Sequence, residues 1–302
     1  MPSPTAVTPA SPTSSNRRAI TFMVGAMACF ICNDTIIKYL GESLPVSQLT
    51  VLRSVMVVAL LMALPLTPLW QSPREAMPWR LLGNRWVVLR ALCDATGTLL
   101  YLSALVHLPI ANATAIGASL PLMLVALAAL LLGERVGPVR ALLVASGFLG
   151  VLLVVQPRLG GFGGWALVCL AGVVFHALRD FSTRQVPPQV PSRVISVASA
   201  LAIGVVGGGL SLQHGWLPLS APQWLLLLLA AVFLCGAYQC IITSLRTGEL
   251  SVAAPLRYSS LIFALTLGYA IWGHVPNTLA WSGIALILLS GLLMLRAQRV
   301  SL

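Results

Sequence analysis

Apolar residues run along the chain in long unbroken blocks, and the breaks between blocks fall at glycine, proline and clusters of charge. A bilayer-spanning helix needs about 20 mostly apolar residues, and lipid admits only helices or closed barrels because it offers the backbone no water. The blocks lack period-two alternation, which points to helices. Ten spans are predicted, near residues 19–39, 46–66, 84–106, 109–131, 138–156, 163–184, 193–211, 222–246, 250–272 and 277–296. The connections are a few residues long, as at Val106-His107-Leu108-Pro109 and Arg246-Thr247-Gly248-Glu249, and leave no extramembrane domain. The expected fold is an all-α integral membrane protein of ten transmembrane helices.

Composition sharpens this reading. Of 302 residues 58% are hydrophobic and 8% charged, with mean hydropathy +0.93, whereas a soluble domain carries about 25% charged residues. The net charge of +11 does not point to nucleic acid, because the basic residues are separated by apolar runs instead of gathering on a solvated face. With a cytoplasmic N-terminus, that side holds Arg17, Arg18, Arg74, Arg80, Arg85, Arg135, Arg140, Arg184, Arg193, Arg246, Arg296 and Arg299; the other side holds Arg158. This asymmetry predicts a multi-pass protein of the cell inner membrane with both termini cytoplasmic. Residues 1–18, rich in Pro, Ser and Thr, read as a disordered cytoplasmic tail and not a cleaved signal. Cys29, Cys32, Cys93, Cys169, Cys235 and Cys240 all fall in predicted spans and read as packing residues, with no metal or cofactor expected.

The chain contains a faint internal repeat. At an offset of 140, Leu105, Ala113, Ser119, Leu127 and Gly133 meet Leu245, Ala253, Ser259, Leu267 and Gly273; at 146, Asp34, Lys38 and Pro45 meet Asp180, Arg184 and Pro191. Two halves of five helices fit both offsets, at residues 19–156 and 163–296. An odd number of helices per half makes the repeat inverted, an arrangement that places a site near the midplane where the halves meet.

The two five-helix halves, Gly133-Glu134-Arg135 closing helix four, Gly273-His274 at the matching end of helix nine and Leu52-Arg53 early in helix two resemble the EamA-type branch of the drug/metabolite transporter superfamily. The resemblance covers residues 19–296. It implies a central cavity lined mainly by helices one, three, four, six, eight and nine, and alternating access for small organic solutes. His274 stands where members often carry a second Glu.

Eight charged side chains lie within the predicted spans: Asp34, Lys38, Arg53, Arg90, Asp94, Arg179, Asp180 and Arg257. Each costs about 2.5–3.5 kcal/mol at a helix centre unless paired or hydrated, so they must face one another, a wet cavity or the interface. Asp34 with Lys38, Arg90 with Asp94, and Asp180 with Arg184 are each four residues apart on one helical face; a structural pairing is the plain alternative to a functional one. Arg53 and Arg257 have no acidic neighbour at helical spacing. Arg257, beside Tyr258 on an implied cavity helix, suits a carboxylate or phosphate, the alternative being a bridge to Asp94 or Asp180. His176, Asn33, Tyr101, Tyr238 and Gln239 complete a candidate substrate site of polar anchors in an apolar pocket. Pro121 and Pro255 are hinge candidates.

The function expected is secondary transport of a small organic metabolite, with an amino acid or related zwitterion favoured because both signs of charge occur in the proposed cavity. Riboflavin or another flat heterocycle is the alternative, supported by Tyr101, Tyr238 and Tyr258 as stacking surfaces. A membrane enzyme would need a catalytic cluster, and a channel a pore loop or ring of like residues; the sequence carries neither. It also carries no nucleotide-binding motif, so a gradient or exchange would supply the work.

Overall fold

The computed structural model describes residues 12–63, 78–132, 137–156, 163–183, 185–187, 189–212, 215–247 and 254–299, and among these all regular structure is helical. In chain order the helices are α1 Pro12–Leu40, α2 Val46–Ala63, α3 Arg85–His107, α4 Ile110–Gly117, α5 Leu120–Leu132, α6 Pro138–Val155, α7 Gly163–Thr183, α8 Ser192–Ser211, α9 Ala221–Thr247, α10 Ser259–Trp272 and α11 Thr278–Arg299. Short 3-10 segments, Trp79–Gly83 and Ala254–Tyr258, lead into α3 and α10. Among the described residues six stretches are long and apolar enough to cross a membrane: Arg17–Leu40, Arg85–His107, Ile110–Leu127, Gly164–Thr183, Val194–Ser211 and Ala221–Ile241. Val46–Met62, Ala141–Val155 and Thr278–Met294 are shorter apolar helices.

Local rules set the ends. The Asn84 side chain accepts the Trp86 N–H at 2.9 Å and caps α3. Pro138 opens α6, where a missing N–H costs nothing. Gly273 closes α10 at φ 65, the left-handed geometry that glycine adopts freely.

Three expectations change. Within the described residues the first helix already runs from Pro12, inside the segment read as a disordered tail; residues 1–11 lie outside the described residues. The fourth span is not continuous: it breaks at Ala118-Ser119, and Pro121 lies in the first turn of α5. The proline ring excludes the Gly117 carbonyl four residues back, and the turn before it is closed by Ser119, whose N–H and hydroxyl both donate to the Ile116 carbonyl. In the ninth span Ala254–Tyr258 is a 3-10 turn and not α-helix, while residues 250–253 lie outside the described residues.

The principal packing pairs are α1 with α9, α3 with α7, α6 with α11, α2 with α8, α3 with α8, α2 with α9, α1 with α10, α5 with α7 and α4 with α10. Exchanging α1 with α7, α2 with α8, α3 with α9, α4 and α5 with α10, and α6 with α11 returns the same set. The α1–α3 contact has no comparable α7–α9 contact. Glycine permits the closest approaches: a Cβ on Gly283 of α11 would lie 2.6 Å from the Gly150 carbonyl oxygen of α6, and one on Gly172 of α7 would lie 3.0 Å from that of Gly97 in α3. Leu130, Leu142, Val205 and Ile262 are exposed, as the lipid-facing side of a membrane bundle requires.

One end of the bundle is tied together, where α1, α3 and α10 finish and α2 and α9 begin. Lys38 Nζ donates to the carbonyls of Leu105, Val106 and Leu108 at 2.9, 3.0 and 2.7 Å, with its charge 5.4 Å from the Trp272 ring centroid. Trp272 Nε1 donates to Glu42 at 2.6 Å. The Gln48 side chain exchanges two hydrogen bonds with the Leu217 backbone, at 2.7 and 3.0 Å, and Gln223 donates to Ser43.

Candidate functional site

Two linked polar clusters occupy the interior. In the first, around α3, α7 and α8, Asp94 is 2% exposed and accepts Arg179 Nη1 at 3.0 Å. Arg90 Nη1, one turn earlier on α3, lies 3.8 Å from the same carboxylate. Arg179 also holds Asp180 through Nε and Nη2, each 2.8 Å from Oδ1. Arg90 reaches further, donating from Nε to Thr183 Oγ1 at 2.9 Å and from Nη1 to Ser199 Oγ. The expected Arg90–Asp94 pair is therefore present, widened into a network over three helices.

The second cluster joins α1, α2 and α3. Buried Arg53 donates from Nη1 to Asn33 Oδ1 at 3.2 Å. Asn33 Nδ2 donates to Asp34 Oδ1 at 3.0 Å, and the Tyr101 hydroxyl donates to Asp34 Oδ2 at 3.3 Å. Arg53 is within electrostatic reach of both Asp34 and Asp94, which connects the clusters. Tyr238 of α9 feels Asp94, Arg179, Arg90 and Arg53 and sets its ring edge-on to Phe30 at 5.7 Å. A small cleft of about 20 Å³, room for about one water, lies beside these groups, lined by Arg53, Ser54, Ser196, Ser199, Leu234 and Tyr238 among others.

The remaining candidates lie apart or act differently. His176 Nε2 is 3.5 Å from the Thr98 hydroxyl, and its ring lies against Gly97, where a Cβ would come within 2.6 Å. Gln239 is half-buried beside Tyr238 on α9. The Arg257 guanidinium makes no hydrogen bond or ion pair among the described residues and feels Asp180 and Arg179 at longer range. Tyr258 turns toward α11, where a Cβ on Gly291 would fall on its hydroxyl; it does not line the cleft.

The expected pairing of Asp34 with Lys38 does not form. The last carbonyls of α3 have no partner within their own helix, and Lys38 satisfies them at the tied end of the bundle. Arg184, the expected partner of Asp180, lies outside the described residues, as do Gly133, Glu134 and Arg135. His274 stacks on Trp272 with centroids 6.3 Å apart; burial and the Lys38 charge hold it below the usual histidine range, against the pull of Glu42. All six cysteines are free thiols. Thr183 and Ser199 were missed as site residues, although the offset of 146 that aligns Asp34 with Asp180 also sets Ser199 opposite Arg53.

Comparison with known proteins bears on the same elements. The EamA-like transporter family model matches the chain twice, over residues 17–156 and 163–296. The riboflavin transporter of Rhizobium johnstonii is 28% identical over 225 residues, 74% of this chain and 72% of that protein. The pseudopaline exporter CntI of Pseudomonas aeruginosa is 24% identical over 291 residues, 94% of this chain and 98% of that one. The S-adenosylmethionine uptake transporter of Rickettsia prowazekii is 22% identical over 71% of this chain and 73% of its own. A solved crystal structure shares the fold at a TM-score of 0.60 and 19% identity, covering 96% of this chain and 99% of the other. With the family match over both halves and an apolar helical bundle, this is a multi-pass membrane protein, and the chain belongs to the EamA-like transporter family.

Proposed function

We propose that this chain is a secondary transporter that carries a small organic metabolite across the cell inner membrane by alternating access, with an amino acid or related zwitterion as the favoured cargo. In this reading ten spans form two inverted five-helix repeats, residues 19–156 and 163–296, with both termini cytoplasmic. The twofold family match and the exchange of packing partners support the repeat. The even span count and the arginine asymmetry support the orientation.

The observation that carries the reading is the ion-paired seam between the halves. Arg179 of the second half holds Asp94 of the first, and Arg90 of the first reaches Thr183 and Ser199 of the second. These groups lie beside a cleft whose walls are mostly apolar, with Arg53 exposed to it. A solute with one anionic and one cationic group has a fixed partner for each on this seam, and a charge inside the membrane persists only where such partners or water receive it. Asn33, Asp34, Arg90, Asp94, Tyr101, His176, Arg179, Asp180, Tyr238 and Gln239 are the substrate-contacting set, with Arg257 and Tyr258 at its margin.

Purified protein in liposomes, offered labelled amino acids, dipeptides, riboflavin and S-adenosylmethionine, tests this. Uptake of a zwitterion, lost in Asp94→Asn and weakened in Arg53→Gln, is the expected result. Failure of every solute in the panel would remove the reading. Riboflavin is the second reading, favoured by the relative of that name and by Tyr238 on the cleft wall; saturable uptake of riboflavin alone would select it.

A further inference from the structure

We propose that Asp34 is a proton-binding carboxylate through which solute movement is coupled to a proton gradient; this rests on the transporter reading above. The three interior aspartates are not equivalent. Asp94 and Asp180 each lie within 3.0 Å of the Arg179 guanidinium, and Asp94 has Arg90 as well. A guanidinium holds its charge throughout the physiological range, so each of these two carboxylates has a permanent counter-charge in contact.

Asp34 has no such partner among the described residues. Its two oxygens accept from neutral groups, the Asn33 amide and the Tyr101 hydroxyl. Lys38, the base one turn along the helix, spends all three of its donors on the Leu105, Val106 and Leu108 carbonyls at the end of α3. The Arg53 guanidinium bonds the Asn33 carbonyl oxygen, so an amide stands between it and Asp34. The other titratable groups facing this region are the Cys169 thiol and His176 from α7, the latter with its ring 6.2 Å from that of Tyr101, Tyr238 of α9 against Phe30, and Cys240 with Cys29 and Cys32. Helix α10 brings no charged residue to α1, and Arg257, in the preceding turn that also packs on α1, feels Asp180 and Arg179 at longer range.

Both protonation states are satisfied in this setting. As the anion, Asp34 accepts two hydrogen bonds. A proton taken from water on one face forms one O–H bond at Oδ2, which then donates to the Tyr101 oxygen while Oδ1 still accepts from Asn33; the Tyr101 hydrogen, which had been donated to Oδ2, turns to the Thr114 hydroxyl, whose oxygen has no other partner among the described residues. The same O–H bond breaks and the Tyr101 hydrogen turns back when the proton leaves to water on the other face, and no other covalent bond changes. Arg53 links this event to the solute. It lines the cleft, and neutralising Asp34 removes the nearest competing negative charge, so proton and solute carboxylate bind together and each strengthens the other.

Infrared difference spectroscopy of the purified wild type, titrated from neutral to acid, tests proton binding without a known solute. A carboxylic acid carbonyl band should grow in, vanish in Asp34→Asn, persist in Asp94→Asn and return, displaced, in the conservative Asp34→Glu. Wild type with no such band, or the band surviving in Asp34→Asn, overturns the proposal. In liposomes, an inward proton gradient should accelerate uptake by wild type and should not accelerate whatever uptake Asp34→Asn retains. Gradient-independent uptake by wild type defeats the coupling while leaving the transporter reading intact. An absence of all uptake defeats the transporter reading, and the infrared result still decides Asp34.

Discussion

At the scale of single residues, buried charge explains why these arginines and aspartates keep the partners they have. Breaking a buried ion pair by removing one member costs about 3–5 kcal/mol, because the other charge is left without compensation. Asp94 is the acute case, since its loss leaves Arg90 and Arg179 facing each other across α3 and α7. Asp94→Asn should therefore lower the unfolding free energy by roughly that amount in detergent, and the double variant Asp94→Asn/Arg179→Gln should recover part of it in thermal unfolding. Lys38 works by a different route, closing the negative end of α3 with three charged hydrogen bonds. Lys38→Met leaves those carbonyls unmet, and a loss of about 1.5–3 kcal/mol is expected in the same assay. The sequence showed both pairs at a spacing of four. It could not show that α3 ends beside Lys38, since that depends on which helices become neighbours, and so Asp34–Lys38 was read as a pair and Arg179–Asp94 as two separate candidates.

At the scale of helices, length and boundaries were legible because the same residues that end a hydrophobic block end a helix. Asn84 before α3, Pro138 at the start of α6 and Gly273 after α10 mark their positions in the sequence itself. The break in the fourth span was marked too, by Pro121, but it falls at Ser119 because a proline disrupts the turn before it. What the sequence withheld was the partner of each face. Glycines on α6 and α11 are visible as small residues, and only the packed structure shows that Gly283 lies against the Gly150 backbone. Since backbone cannot move aside as a flexible side chain can, Gly283→Ala should cost about 1–3 kcal/mol through overpacking. Gly25→Ala, on α1 with nothing within 4 Å of the added carbon, should leave the melting temperature unchanged or raise it. Equal effects of the two substitutions would mean that the α6–α11 contact is looser than described.

At the scale of the whole molecule, the described residues show how one end of the bundle is closed. The end near Lys38 is tied by Gln48 to the Leu217 backbone, by Gln223 to Ser43 and by Trp272 to Glu42, all contacts between helices or their connections. The cleft reaches in from the opposite half, between Leu61 and Ser196 near the far ends of α2 and α8. Alternating access requires the tied end to part, since a solute entering along α2 and α8 has no exit otherwise. These ties are individually modest hydrogen bonds, worth about 0.5–1.5 kcal/mol each when neutral, so opening lies within reach of a solute's differential binding energy. A covalent tie does not. With the six native cysteines replaced, Gln48→Cys and Leu217→Cys joined by a reducible thiol cross-linker should stop uptake, and reduction should restore it. The same reagent applied to either single variant should leave uptake at its starting rate. Full transport by completely cross-linked protein would mean that this end stays shut throughout the cycle, and rocking of the two halves would no longer describe how solute crosses.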